Sequence, residues 1–234
     1  MNDFDMMQMT DSRYERIISL GRHCQTAYQI RRFTGDETAF YFDWVGTPHR
    51  GLIQVLSKEF KGSFQRENLL LTEDDTNVVD QSNGLRYRHS FSKIPGQKRI
   101  DPNSIAQEFD EEQRKYDFLI CRWRSTINTQ SVIFVRQDTP SVDEAIELYN
   151  VLARQTGSNR IGLLFVIPPK HELFVEHPSI YVERGGMLPS SQADWKGIDW
   201  VWEEILSKYW RGERPIRAVQ KPSTVREPLP MPPQ

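Results

Sequence analysis

The chain has 234 residues with a formal net charge of −2, and 38% of its residues are hydrophobic. This length and composition suit a packed globular domain and exclude wholesale disorder. The nearly balanced charge argues against nucleic acid and anionic membranes as partners, and no stretch reaches the roughly 20 apolar residues that cross a bilayer. The opening residues lack a secretory signal and only two cysteines occur, Cys24 and Cys121, so we expect a cytoplasmic protein with free thiols.

Composition divides the chain into three predicted segments. Residues 1–15 are polar and Met-rich, which predicts a flexible N-terminal arm. Residues 211–234 are rich in proline, which predicts an extended tail. Between them, residues 16–210 carry the apolar patterns of a single α/β domain.

The domain is predicted to open with a strand, a glycine turn and a helix. Apolar residues within 16–20 indicate a buried strand, which Gly21 closes. The helical spacing of Ala27, Ile30 and Phe33 then predicts a helix of about ten residues.

The middle of the chain mixes helices with short strands. After an aromatic segment at 40–44 (FYFDW), residues 48–60 show helical spacing, and residues 104–127 form a longer amphipathic pattern. The short apolar pieces between 69 and 91 predict strands or a hairpin, because Asn83-Gly84 is a strong turn signal.

Two continuous apolar runs in the second half predict a parallel sheet. Residues 132–135 and 161–167 have the composition of strands that are buried on both faces. The helix between them is predicted to use Thr139 as its cap and Pro140 as its first residue. The remaining predicted elements are a strand at 180–182 and a helix at 198–209.

These elements together predict the fold class. Strands that alternate with helices favour an α/β fold, here a single three-layer domain with a mostly parallel sheet and a hairpin insertion. Ligands of such sheets collect where the strands end at their carboxyl edge.

Cys24 follows the first strand and opens the first helix. A thiol in this position meets free backbone N–H groups and the positive end of the helix dipole, which favour the reactive thiolate. Cys24 is therefore the strongest candidate for a catalytic nucleophile. The structural alternative is a small buried residue that fills space, since free cysteines are often buried.

A cysteine nucleophile needs a base, and five histidines compete for this role. His89 is the best candidate because it ends a predicted strand, although an ordinary edge-strand residue explains it equally well. His49, His171 and His177 lie in proline-flanked segments and are predicted to be exposed to solvent.

Two charged residues near the strand ends complete the candidate site. Asp43 lies among aromatic residues, where an unpaired charge is costly, so it either orients the imidazole, pairs with Arg31 or Arg32, or caps a helix. Arg136 follows the 132–135 strand and is predicted either to bind an anionic group of the substrate or to pair with a nearby aspartate.

The sequence also resembles a known family. The segment 18–32 (ISLGRHCQTAYQIRR) and the FDW of 42–44 are similar to the opening of a bacterial family labelled papain-like cysteine peptidases. The likeness continues through His89 and Phe91, through the IFVR of 133–136 and up to about residue 209. It implies a Cys24 nucleophile. Papain-like domains lack a strand–helix–strand crossover, so the fold is predicted from the local pattern and the site from the resemblance.

The chain departs from that family at three places. Family members have His-Asp-Phe where this chain has Ser90 after the histidine, a proline where it has Tyr41, and two arginines where it has Phe118 and Leu119. If the family's aspartate supports catalysis, Ser90 predicts altered or lost activity.

Two functional hypotheses follow. In the first, the protein is a thiol-dependent hydrolase or acyltransferase in which Cys24 attacks a peptide, acyl or glycan-type substrate, His89 moves the proton, and Asp43 orients the imidazole. Arg136, Gly21 and Trp44 are the predicted substrate-binding residues. In the second, the protein binds an anion or a glycan at the same strand ends without catalysis. No cofactor or metal is expected, because no nucleotide- or zinc-binding motif occurs.

Overall fold

The structure, a computed structural model, describes residues 13–157, 159–185 and 195–212 of the chain. The strands are β1 (Arg16–Ser19), β2 (Val45–Gly46), β3 (Leu69–Leu71), β4 (Val78–Asp80), β5 (Arg86–Tyr87), β6 (Val132–Gln137), β7 (Ile161–Ile167) and β8 (Ile180–Arg184). The helices are α1 (Cys24–Thr34), α2 (His49–Ser57), α3 (Pro102–Thr129), α4 (Val142–Gln155) and α5 (Asp199–Ser207).

Four strands form a parallel sheet in the order β1-β6-β7-β8. β6 lies at the centre, with Ile17 opposite Ile133 on one side and Val132 opposite Ile161 on the other. Strands β6 and β7 are buried along their whole length, which explains their continuous apolar sequence. The predicted parallel pair at 132–167 is confirmed.

Helices cover both faces of this sheet. Successive side chains of a strand point to opposite faces, so Ile17 and Ile133 pack with α1 and α5. Ile18 and Phe134 face the other way and belong to the larger core that α2, α3 and α4 complete. The predicted three-layer α/β architecture is therefore confirmed.

A second, antiparallel sheet in the order β2-β5-β4-β3 forms the predicted hairpin region. β4 and β5 pair across the Asn83-Gly84 turn, and Gly84 has a φ of 76°, which suits glycine. β5 also pairs with β2, where Val45 lies opposite Tyr87. This pairing carries the segment after β5 to the side of the segment before β2.

The start of α4 differs from the prediction. Ser141, not Thr139, is the N-cap, and its side chain accepts a hydrogen bond from the Glu144 N–H at 3.2 Å. The Glu144 carboxylate in turn accepts from the Ser141 N–H at 2.8 Å. This reciprocal Ser-x-x-Glu arrangement satisfies two helix-start donors, which a Thr-Pro start cannot do.

The chain ends were predicted to be loose, and part of the first end is packed. Tyr14 is 1% exposed, its N–H donates to the Tyr209 carbonyl, and its carbonyl accepts from the Arg211 N–H. The arm prediction is therefore wrong for Tyr14, while residues 1–12 of the arm and 213–234 of the tail lie outside the described residues. Among the helices of the described ranges, none has both the length and the apolar content needed to cross a bilayer.

Candidate active site

A tight turn presents Cys24 at the carboxyl edge of the parallel sheet. β1 ends at Ser19, and both Gly21 and Arg22 then take left-handed backbone angles, with φ of 74° and 75°. His23 is the extended N-cap, and Cys24 is the first residue of α1. The predicted position of Cys24 between strand and helix is therefore confirmed.

Gly21 is a packing residue in this turn. A Cβ atom at this position would lie 2.6 Å from the Val45 carbonyl oxygen and 2.8 Å from that of Phe42. Only glycine therefore lets the aromatic segment around Trp44 rest against the end of β1. Gly21 is buried, so its contacts are with this segment rather than with a surface open to substrate.

His89 lies beside Cys24 although 65 residues separate them. The Cys24 Sγ atom is 3.8 Å from the His89 Nε2 atom, within the range of a hydrogen bond to sulfur. Cys24 is half-buried and His89 is exposed, so both side chains border on solvent. The structure thus brings the predicted nucleophile and the predicted base together.

Three side chains in successive contact, those of Trp44, Arg31 and Asp43, lie behind His89. The Trp44 ring meets the imidazole edge to face, with ring centroids 6.2 Å apart. The Arg31 guanidinium lies over the Trp44 ring at 5.2 Å from its centroid, a cation–π contact. Arg31 also donates to the Asp43 carboxylate at 2.8 Å.

Asp43 is the last of these three side chains and does not contact the imidazole. It is 5% exposed, and its Oδ2 atom accepts from both the Arg31 guanidinium and the Phe40 N–H. Burial raises the pKa of the Asp43 carboxyl, and these two donors oppose that rise. Of the alternatives for Asp43, the ion pair with Arg31 is confirmed, and no hydrogen bond to His89 occurs among the described residues.

The electrostatics of the Cys24–His89 pair differ from the expectation. Burial raises the pKa of the Cys24 thiol, and the Arg88 charge and the Cys24 backbone N–H offset this only in part. Burial lowers the pKa of His89, and the charges of Lys93, Arg88 and Lys115 lower it further. Burial of Cys24 thus opposes the stabilisation of a thiolate that its position at the helix end predicts.

The directions of both pKa shifts favour a neutral thiol and a neutral imidazole in the resting pair. A neutral imidazole with a free Nε2 lone pair accepts the thiol proton during attack, so the geometry suits general-base activation. In the described part of the chain, the backbone N–H groups of Cys24 and Gln25 in the first turn of α1 donate to no other residue, and the Cys24 N–H acts on its own thiol. They are available to an oxyanion.

Arg136 is not available to a substrate. Its side chain has 0% exposure, and its guanidinium donates to the Thr47 hydroxyl and to the Thr47 carbonyl, each at 2.8 Å. It also forms an ion pair with Asp138 at 2.8 Å. The substrate-binding prediction for Arg136 is therefore corrected, and the alternative of a paired aspartate is confirmed. Arg136 ties the end of β6 to the start of α2.

His49 and His177 lie in other surroundings. Within the described residues, both ring nitrogens of His49 are buried without a hydrogen-bond partner, so the prediction that it is exposed is wrong. The His177 ring packs on Tyr149, with centroids 4.2 Å apart. Within the described ranges, no three His, Cys, Asp or Glu side chains are arranged to hold a metal ion.

Sequence reasoning missed two cations of the site. Arg31 was considered only as a partner of Asp43, although its contact with Trp44 links it to His89. Arg88 was overlooked, although its position directly before His89 could have indicated it. Neither role follows from spacing alone, because each depends on how β5 pairs with β2.

The protein has an α/β fold, and a cysteine and a histidine lie in contact at the carboxyl edge of its parallel sheet. Comparison with protein families gives a match to the family described as "Putative papain-like cysteine peptidase (DUF1796)" over residues 15–167, more than half of the chain. The chain belongs to this family. The matched span contains both Cys24 and His89. Searches of curated proteins and of solved structures gave no match.

Proposed function

We propose that the protein is a thiol-dependent hydrolase or acyltransferase with Cys24 as nucleophile and His89 as base. The single observation that carries this proposal is the 3.8 Å contact between Cys24 Sγ and His89 Nε2. Membership of a family described as cysteine peptidases supports it.

The reaction begins with a proton transfer. His89 Nε2 accepts the thiol proton as Cys24 Sγ forms a bond to the substrate carbonyl carbon, and the carbonyl oxygen becomes an oxyanion. The N–H groups of Cys24 and Gln25, which donate to no other residue in the described part of the chain, are the proposed donors to this oxygen.

The second half of the reaction returns the proton. The bond to the leaving group breaks, the imidazolium of His89 donates its proton to that group, and a thioester remains on Cys24. Water or another acceptor then attacks the thioester while His89 accepts a proton from it and passes that proton to the Cys24 sulfur. Attack by water gives hydrolysis, and attack by another acceptor gives acyl transfer.

The residues behind His89 hold the imidazole in place. Trp44 limits its rotation by an edge-to-face contact, and Arg31 holds Trp44 from the other side. Asp43 fixes Arg31. Asp43 is thus a positioning residue that acts through two others.

The test is acylation of the full-length protein by 4-nitrophenyl acetate, with the adduct located by peptide mass spectrometry. We expect an acyl group on Cys24, and we expect this adduct to be lost in the Cys24→Ala variant. His89→Gln is expected to slow acylation by a factor of about 10²–10⁴, the usual contribution of a general base. Cys121→Ser and His171→Gln are matched controls that should leave the rate unchanged.

Two results would overturn the proposal. One is an adduct on exposed Cys121 but not on Cys24. The other is a His89→Gln variant that acylates at the rate of the unmodified protein while its urea unfolding is unchanged. Either result would favour a binding protein, although Arg136, the cation first considered for an anion pocket, is buried and paired.

A further inference from the structure

We propose that the substrate carries a negatively charged group, such as a carboxylate, close to the reacting carbonyl, and that Arg88 and Lys93 bind this group. The inference rests on the proposed function, because it names the substrate class of the same site. Nothing in the family description assigns these two residues a role.

Arg88 lies directly beside the proposed base in the sequence. It lies between Tyr87, the buried last residue of β5, and His89, and its own side chain is exposed. Its charge acts on the Cys24 thiol and on the His89 imidazole alike. Arg88 thus directly precedes His89, whose Nε2 atom lies 3.8 Å from the Cys24 sulfur.

Arg88 and Lys93 have no paired carboxylate in the described part of the chain. Neither Arg88 nor Lys93 has a hydrogen bond, ion pair or ring contact through its side chain in the described part of the chain. Every charged group that acts on His89 is a cation, namely Lys93, Arg88 and Lys115. Lys115 is paired with Glu112 at 2.6 Å, which leaves Arg88 and Lys93 uncompensated.

The other cations of the site are already neutralised. Arg31 is bound to Asp43 at 2.8 Å, and Arg22 lies 3.4 Å from Asp138. Arg88 acts on both Cys24 and His89, and Lys93 acts on His89. These two unpaired cations form a positive field at the site, and such a field concentrates anionic reactants and favours their approach. A substrate with a carboxylate near its carbonyl complements this arrangement.

The first test compares two alkylating reagents that differ in charge. Cys24 is labelled with anionic iodoacetate and with neutral iodoacetamide, and the ratio of the two rates is measured by mass spectrometry. The ratio cancels changes in the thiolate fraction. In the double variant Arg88→Gln, Lys93→Gln we expect this ratio to fall by about threefold to tenfold.

Arg86→Gln is the matched control. Arg86 is also an exposed arginine of the same segment, but it lies in β5, three residues before His89. Its substitution should leave the ratio unchanged. High salt should reduce the ratio of the unmodified protein toward that of the double variant, because salt screens exposed charges.

The second test uses two esters of matched length, 4-nitrophenyl hemisuccinate and 4-nitrophenyl butyrate, each corrected for its rate with free N-acetylcysteine. We expect faster acylation of Cys24 by the anionic ester, and loss of this preference in the double variant. Acylation by both esters with no charge preference would overturn this inference alone. No acylation by either ester would overturn the proposed function, while the alkylation ratio would still show whether the anion subsite exists.

Discussion

Replacement of Gly21 by alanine is the sharpest test of how the turn supports the site. The new Cβ atom would lie 2.6 Å and 2.8 Å from the carbonyl oxygens of Val45 and Phe42. Both are backbone atoms that move only if the whole aromatic segment shifts. The φ of 74° adds a conformational cost, since alanine disfavours the left-handed region.

A second glycine separates these two costs. Gly62 has the same φ of 74°, and a Cβ atom there would meet nothing within 4 Å. Gly62→Ala therefore pays only the conformational cost, about 1 kcal/mol. Gly21→Ala adds the effect of overpacking, about 1–3 kcal/mol, so its expected loss of unfolding free energy is about 2–4 kcal/mol.

The measurement is urea unfolding of both variants, followed by the fluorescence of the six tryptophans. The midpoint should fall further for Gly21→Ala, with little change in the slope of free energy against urea. Because the shifted segment carries Trp44, this variant should also acylate more slowly than Gly62→Ala. Equal losses of stability, within about 0.5 kcal/mol, would refute the packing role of Gly21.

Two further predictions concern the pH dependence of Cys24 acylation. The acylation rate should rise with pH at an acid limb whose midpoint lies below about 6.5, because His89 must be neutral and its pKa is lowered. The rate should change again only at an alkaline limb above about 8.5, where the thiol ionises, because the pKa of Cys24 is raised. A single rise centred near 8.5 with no acid limb would contradict base catalysis by His89. Trp44→Leu should slow acylation by about tenfold and move the acid limb up toward 6.5, since loss of the indole ring exposes the imidazole further to water. Exposed Trp200→Leu is its control, and an unmoved limb in Trp44→Leu would limit Trp44 to a structural role.

The strand–helix–strand unit could be predicted from sequence because its signals are local. The runs at 132–135 and 161–167 are apolar throughout, and only strands that are buried on both faces need this composition. The same holds for Cys24, since a strand, a glycine turn and a helix occur within about twenty residues. The cap of α4 was misplaced by two residues because two overlapping start signals, Thr-Pro and Ser-x-x-Glu, compete there.

The chemistry of the site could not be predicted in the same way. The contact of His89 with Cys24 depends on the pairing of β5 with β2, which no local pattern shows. The position of Arg136 at a strand end was correct, but its burial arises from Thr47, which comes from a distant segment. The rise in the pKa of Cys24 could not be predicted for the same reason, since the burial of a side chain is a property of tertiary packing.

The serine after His89 bears on the expectation, drawn from the family resemblance, that activity is altered or lost. Ser90 is 7% exposed, and its hydroxyl lies 2.8 Å from the Tyr116 hydroxyl inside the aromatic core. Its side chain thus points into the core, while that of His89 points to the surface and to Cys24. An aspartate at position 90 would meet Tyr116 and not the imidazole. Ser90 therefore leaves the Cys24–His89 contact in place, and in the proposed mechanism the Trp44 ring orients His89.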